Sequence, residues 1–243
     1  MSESSKPASQ PYAAGNQELA EYREPSRLAI GGMVLGLLSV LALFGPAFWI
    51  IPMSAVAISA FAWRSINSHD HLSGKTLAIA GLILGPLFGG IAFTSNYVQR
   101  QTLQSNAQAL AEGWIKLMAE GKIYEGHQLT LMPGERQPLE ADLDFFYQEN
   151  ESIQEPIENF ESRPSTQWFR KHVDADVSIR FISFASTSFG EDSDRVLIEY
   201  ELTANSNGNS DSKFFELYLN RTLFQSEDTA RYLWEVRCDL TGA

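Results

Sequence analysis

From Leu28 to Trp63 the chain carries no charged residue, and a second charge-free run extends from Thr76 to Gln99. A charge at the centre of a bilayer costs roughly 2.5 to 3.5 kcal/mol on insertion scales, so runs of this length belong to membrane spans. The first run exceeds one span of about 20 residues and holds its own breaker at Gly45-Pro46. It divides into spans Leu28 to Phe44 and Ala47 to Trp63, each about 26 Å long at roughly 1.5 Å rise per residue. Leu77 to Thr94 makes a third. Ahead of them, Met1 to Ser26 is rich in Ser, Pro, Gln, Glu and Ala and reads as a disordered polar tail.

Beyond Arg100 the pattern becomes that of a water-soluble domain. Leu103, Ala107, Leu110, Trp114 and Met118 recur at helical spacing and predict a helix over Thr102 to Glu120, ended by Gly121. Shorter helices are expected at Ile123 to Leu131 and Leu139 to Asn150, followed by a loop-rich connection punctuated by Pro156 and Pro164. The period then changes to two. Val177, Ile179 and Phe181; Val196, Ile198, Tyr200 and Leu202; Phe215, Leu217 and Leu219; and Tyr232, Trp234, Val236 and Cys238 predict about four antiparallel strands with one apolar face. The fold class is thus a three-span α-helical membrane module plus a soluble α+β domain, helices before sheet. The organisation is a tail over 1–26, the membrane module over 27–98 and the soluble domain over 99–243.

Charge sharpens this division. The chain has 243 residues, a net charge of -12 and a mean hydropathy of -0.16, figures that suggest an ordinary soluble protein. They are an average of two unlike parts, because Arg100 to Ala243 holds 13 basic and 25 acidic side chains while the first 99 residues balance. So acidic a domain would be repelled by a phosphate backbone, which argues against a nucleic-acid partner. Arg23, Arg27, Arg64 and Lys75 flank one end of the spans, whereas the Gly45-Pro46 turn has no cation. The positive-inside rule places the N-terminus in the cytoplasm and, after three spans, the C-terminal domain outside it, in a multi-pass protein of the inner (plasma) membrane. A cleavable signal peptide does not fit, because the polar leader is long and the apolar stretch continues far past any cleavable core.

The segment Leu28-Ala-Ile-Gly-Gly-Met-Val-Leu-Gly36 repeats as Leu77-Ala-Ile-Ala-Gly-Leu-Ile-Leu-Gly85. Each copy carries glycines four apart, Gly32 with Gly36 and Gly81 with Gly85, the latter extended by Gly89. Such spacing opens a groove that lets a second helix backbone approach closely in lipid, either the partner copy in the same chain or a second molecule. The two copies, with the intervening apolar hairpin and the loop Trp63-Arg-Ser-Ile-Asn-Ser68 to Ser73-Gly-Lys-Thr76, resemble a bacterial membrane domain of unknown function, family 4190. That resemblance covers about residues 27–94 and implies a bacterial membrane module with no assigned activity. The order of elements after Arg100 resembles the nuclear-transport-factor-2-like cone, a fold that supports both binding and catalysis.

Candidate chemistry is sparse. The sequence has no P-loop, no Gly-rich dinucleotide fingerprint, no nucleophile elbow and no zinc-protease motif. His69-Asp-His71 lies in a short loop without a third ligand and reads as solvated, so no metal or cofactor is expected. The single cysteine, Cys238, falls on the apolar face of the last strand as a small hydrophobe. Glu125, His127 and Asp142 are the candidates for a pocket, where an acid and a base could work in a small enzyme. Three readings stay open: a non-enzymatic membrane-anchored protein that displays an acidic ligand-binding or protein-interaction domain, a small acid/base enzyme, and an oligomeric scaffold assembled through the glycine helices. The lipid bilayer is the expected partner of the first part, and a protein partner or a second copy that of the whole.

Overall fold

The computed structural model describes residues 24–69, 72–190, 192–206, 209–225 and 230–241. The tail before Glu24, together with Asp70 and His71 of the loop histidine motif, lies outside the described residues. The chain divides into two compact units, Met1–Asn96 and Tyr97–Ala243.

In the first unit, strand β1 (Glu24–Pro25) leads into helix α1 (Arg27–Leu38), which tightens into 3₁₀ turns over Ser39–Phe44 and Pro46–Trp49. Gly45 separates the two turns in extended backbone, and Pro46 occupies the first position of the second turn, where its missing N–H costs nothing. Helix α2 (Ile50–Ser68) follows, then strand β2 (Leu72–Ser73) and helix α3 (Lys75–Ala119). Strands β1 and β2 pair in parallel, Glu24 with Leu72 and Pro25 with Ser73, so the two repeat copies start side by side. Three stretches are long and apolar enough to cross a membrane: Arg27–Phe44, Pro46–Ser68 and Lys75–Ala119.

Helix α3 corrects one expectation. The stretch expected to be the third span and the helix expected to open the next domain are one continuous helix of 45 residues, not two elements. Ser95 to Gln101 contains neither Gly nor Pro, so nothing there stops propagation once both flanks are helical. It ends at Gly121, whose φ of 75° lies in the left-handed region. There the Lys122 N–H bonds the Leu117 carbonyl at 2.9 Å and the Gly121 N–H bonds that of Met118 at 3.1 Å, a Schellman closure.

The second unit adds helices α4 (Ile123–Gln128), α5 (Leu143–Glu149), α6 (Glu151–Glu161) and α7 (Pro164–Lys171) to the end of α3. Helices α6 and α7 replace the expected loop. Pro164 is the first residue of α7, a position that proline favours, and Pro156 is accommodated inside α6. Ile153, Ile157 and Phe160 mark the face that α6 lays on the core.

The sheet is a meander of β3 (Asp176–Ser188), β4 (Ser193–Ser206), β5 (Asn209–Gln225) and β6 (Ala230–Thr241), antiparallel throughout. Its inner face presents Val196, Ile198, Tyr200 and Leu202, then Phe215, Leu217 and Leu219, then Val236 and Cys238. All are buried against Leu103, Trp114, Ile115 and Met118 of α3 and Phe160, Trp168 and Phe169 of the short helices. Strand β3 shifts register after Phe181 and again after Phe184. The first bulge inserts Ile182 and reverses the alternation, which puts Phe184 beside Phe181, 5.0 Å between ring centroids, on the same face.

Candidate functional site

The three residues singled out for a pocket meet different fates. Glu125 is exposed on α4. Asp142 is the N-cap of α5, its carboxylate accepting the Phe145 N–H at 3.1 Å, which is the role this residue type takes at a helix start. His127 is 3% exposed, between Tyr147 and Phe160. Among the described residues no hydrogen bond or ion pair joins any two of the three.

His127 belongs instead to a buried polar knot. Gln128 Nε2 donates to Tyr147 Oη at 2.8 Å, so the phenol has its own proton free for His127 Nδ1, 2.7 Å away. The Gln128 amide oxygen in turn accepts the Gln137 N–H at 2.8 Å. Burial, helped by the nearby Arg163 cation, lowers the His127 pKa to about 4, and burial raises that of Tyr147 to about 12. Both are neutral near pH 7, and each supplies what the other requires. The knot ties α4 to α5 and closes over Trp114, whose indole donates to the Gly126 carbonyl at 3.0 Å.

The chain after α4 then covers the edge of the sheet. The Leu129 carbonyl accepts the Val236 N–H at 2.9 Å, and Arg136 donates to the carbonyls of Leu129, Leu131 and Trp234. Backbone groups of β6 that would otherwise lie open are thereby paired.

The open space of this unit lies on the opposite face of the sheet. A trough of about 650 Å³ runs across all four strands. Register sets its floor: Ser188, Arg195, Asn220 and Glu235 form one row across the strands, and Ser186, Leu197, Tyr218 and Arg237 the next. Arg237 bonds Glu235 at 2.8 Å and the Tyr218 hydroxyl donates to Glu216 at 3.0 Å. Arg195 is exposed and forms no ion pair with any described residue. Asn220 Oδ1 is buried and has no donor among the described residues. The alternation of β4 already implies that Arg195 and Leu197 point away from the core; that Asn220 and Glu235 stand beside them follows only from the strand register.

Cys238 is 3% exposed, and burial pushes its thiol pKa up, so it is an inert member of the core. Among the described residues no group of three or more His, Cys, Asp or Glu side chains could hold a metal ion. His69 packs back on its own helix, with Nδ1 3.0 Å from the Ser65 carbonyl.

In the first unit the glycines of the repeat lie at helix crossings. A methyl group on Gly81 would fall 2.5 Å from the Gly32 carbonyl oxygen and against the Ser59 hydroxyl, and one on Gly36 would fall 3.0 Å from Gly81 Cα. Gly85 and Gly89 face Pro52: a methyl group on the first would fall 3.1 Å from its carbonyl oxygen and one on the second 3.2 Å from its Cβ. Ser59, on α2, fills the junction of the three helices, its hydroxyl without a partner among the described residues.

No protein-family model matches the chain, so the resemblance of residues 27–94 to family 4190 gains no support from that side. No curated protein matches it either. Among solved structures, an NTF2-like protein with a cystatin-like fold from Novosphingobium aromaticivorans is similar at 12% identity and a TM-score of 0.34, over 60% of this chain and 89% of that one. Its fold type is the one that the order of elements after Arg100 resembles, but a likeness this slight establishes neither fold nor activity.

Proposed function

We propose that this is a multi-pass membrane protein of three spans that displays a non-catalytic binding domain outside the cytoplasm, with the open face of the sheet as its binding surface. The observation that carries the reading is the inverted packing of the first unit. Its buried positions include Ala29, Gly32, Gly36, Ser39, Ala55, Ser59, Ala62 and Ala78, while Leu28, Val34, Leu37, Ile50, Phe61, Ile83 and Ile91 point outward. In water that arrangement would leave a large apolar surface unpaid for by burial; in lipid it is the expected one, since small residues bring backbones together and large aliphatics meet acyl chains.

Sidedness is supported by Arg27, Arg64 and Lys75 at the end where α1 and α3 begin and α2 finishes, against the uncharged Gly45-Pro46 end. The binding role, rather than an enzymatic one, is supported by the separation of Glu125, His127 and Asp142 and by the filled core under the helices. The scaffold reading loses its motif, because Gly32, Gly36, Gly81, Gly85 and Gly89 all meet partners within the chain. Protease treatment of intact bacterial spheroplasts that carry a C-terminally tagged protein tests the topology. The tag is expected to be lost and an N-terminal tag retained; full protection of the C-terminal tag would overturn the arrangement.

A further inference from the structure

We infer that the trough on the open sheet face binds the C-terminal end of a short peptide, with Arg195 taking the terminal carboxylate and Asn220 Oδ1 accepting the adjacent peptide N–H. The inference rests on the binding-domain reading and names the ligand chemistry of that same surface. Arg195 and Asn220 Oδ1 stand side by side in the trough without a partner among the described residues. Arg195 forms no ion pair with a carboxylate among the described residues, in a chain whose net charge is -12 and where three other arginines of the sheet do: Arg180 with Glu201, Arg221 with Asp194 and Arg237 with Glu235. A buried acceptor without a donor, such as Asn220 Oδ1, costs about 1 to 3 kcal/mol, a cost that a ligand N–H would remove.

The register pairs Arg195 with Asn220 on neighbouring strands. Such strands lie about 4.8 Å apart, a gap that one terminal residue, about 3.5 Å long, spans with the reach of a guanidinium added. Arginine can hold a carboxylate through two parallel hydrogen bonds, which separates an acid from its amide more sharply than a lysine would. The Ser188 hydroxyl stands on the other side of Arg195 in the same row, as a further donor to the carboxylate. A free ammonium is a poorer match than a peptide N–H: Arg195 and Glu235 flank Asn220 in its row, Glu235 is already engaged by Arg237, and Asp239, the other carboxylate of the trough, stands two rows away. Leu197 and the half-exposed Tyr218 ring form the next row and offer an apolar seat for the last side chain. A volume of about 650 Å³ lies within the roughly 300 to 1,000 Å³ of small-ligand sites and holds more than one residue.

The test is calorimetric titration of the full-length protein in detergent micelles with the tripeptide alanyl-alanyl-leucine, its C-terminal amide, and lactate. Saturable binding of the tripeptide is expected, with at least tenfold weaker binding of the amide and of lactate. Arg195→Gln should weaken the tripeptide at least tenfold and leave the amide unchanged. Asn220→Leu should weaken it severalfold without lowering the melting temperature, because the amide oxygen it removes bonds nothing in the free protein; a fall in melting temperature with unchanged affinity would make Asn220 structural and sink the assignment. Equal binding of acid and amide, no binding by the folded protein, or lactate as tight as the tripeptide would each overturn it. Micelles remove sidedness from the experiment, so a wrong topology fails the tag assay while leaving this result intact.

Discussion

The two units of this chain solve the packing problem in opposite ways. Around Ser59 the first unit brings Gly32, Gly36 and Gly81 together and turns its leucines, isoleucines and phenylalanines outward. Around Trp114 the second buries Tyr200, Phe169, Phe215 and a set of aliphatics, and puts Arg180, Glu199, Glu216 and Arg237 on the other face of the sheet. On the proposed membrane reading, the difference follows from the surroundings of each unit. Water rewards the burial of large apolar side chains, whereas lipid does not distinguish a leucine inside from one outside and leaves close backbone contact as the main attraction.

The largest effect is expected where the second unit depends on bulk. Trp114→Ala should cost about 3 to 5 kcal/mol, because it empties a space the core cannot close and strips the Gly126 carbonyl of its donor. Urea unfolding followed by circular dichroism in the β-sheet band measures it; a loss under about 1 kcal/mol would mean that this core is not governed by packing.

Exposed positions separate the units most directly. Ile83 is 60% exposed and Phe214 52%. Ile83→Lys should lower insertion by about 3 kcal/mol and leave protein extractable by carbonate, whereas Phe214→Lys should shift stability by less than about 0.5 kcal/mol. Equal tolerance at both sites would remove the lipid from the explanation.

Next comes pH. His127 titrates near 4 in the folded protein and near 6.5 unfolded, so the unfolded chain takes up the proton first. Stability should be full above about 6.5 and fall as pH drops toward 4, by up to about 3 kcal/mol. His127→Gln, which cannot take up a proton, should flatten that part of the curve; an unchanged slope between pH 6.5 and 4.5 would assign the dependence to other groups.

A smaller loss is expected for Gly81→Ala. Its added methyl would meet the Gly32 backbone, an overpacking of about 1 to 3 kcal/mol, seen as a lower melting temperature in detergent, while Gly90→Ala, with open space at its Cβ, should be neutral. The smallest is Arg180→Ala, which removes a pair with Glu201 whose arginine is largely exposed and should cost under about 1 kcal/mol.

Much of the fold was legible before the structure. Gly45-Pro46 divides the first two apolar stretches and Gly121 ends α3, because both signals act through local backbone geometry. The alternation in β4 runs without error from Val196 to Leu202. What misled was equally local. Pro156 and Pro164 suggested loop, yet one sits inside a helix whose apolar face outweighs it and the other starts one. Nothing in β3 announced the inserted Ile182, since a bulge is a relation between two strands. The candidate site was legible least of all. Asp142 and His127 were noticed for their chemistry, but a cap and a buried acceptor look the same in sequence as a catalytic acid and base.

By itself the sequence determined three apolar stretches, a sheet with one greasy face, and the confinement of the net charge to the residues after Gln99, because each depends only on composition and on periods of 2 or 3.6 residues. Tertiary structure alone decided which glycines meet, that His127 is buried in its neutral form beside Tyr147, and that Arg195, Asn220 and Glu235 share one row of an open trough. Those are juxtapositions of residues far apart in the chain, fixed by strand register and helix packing rather than by any local preference.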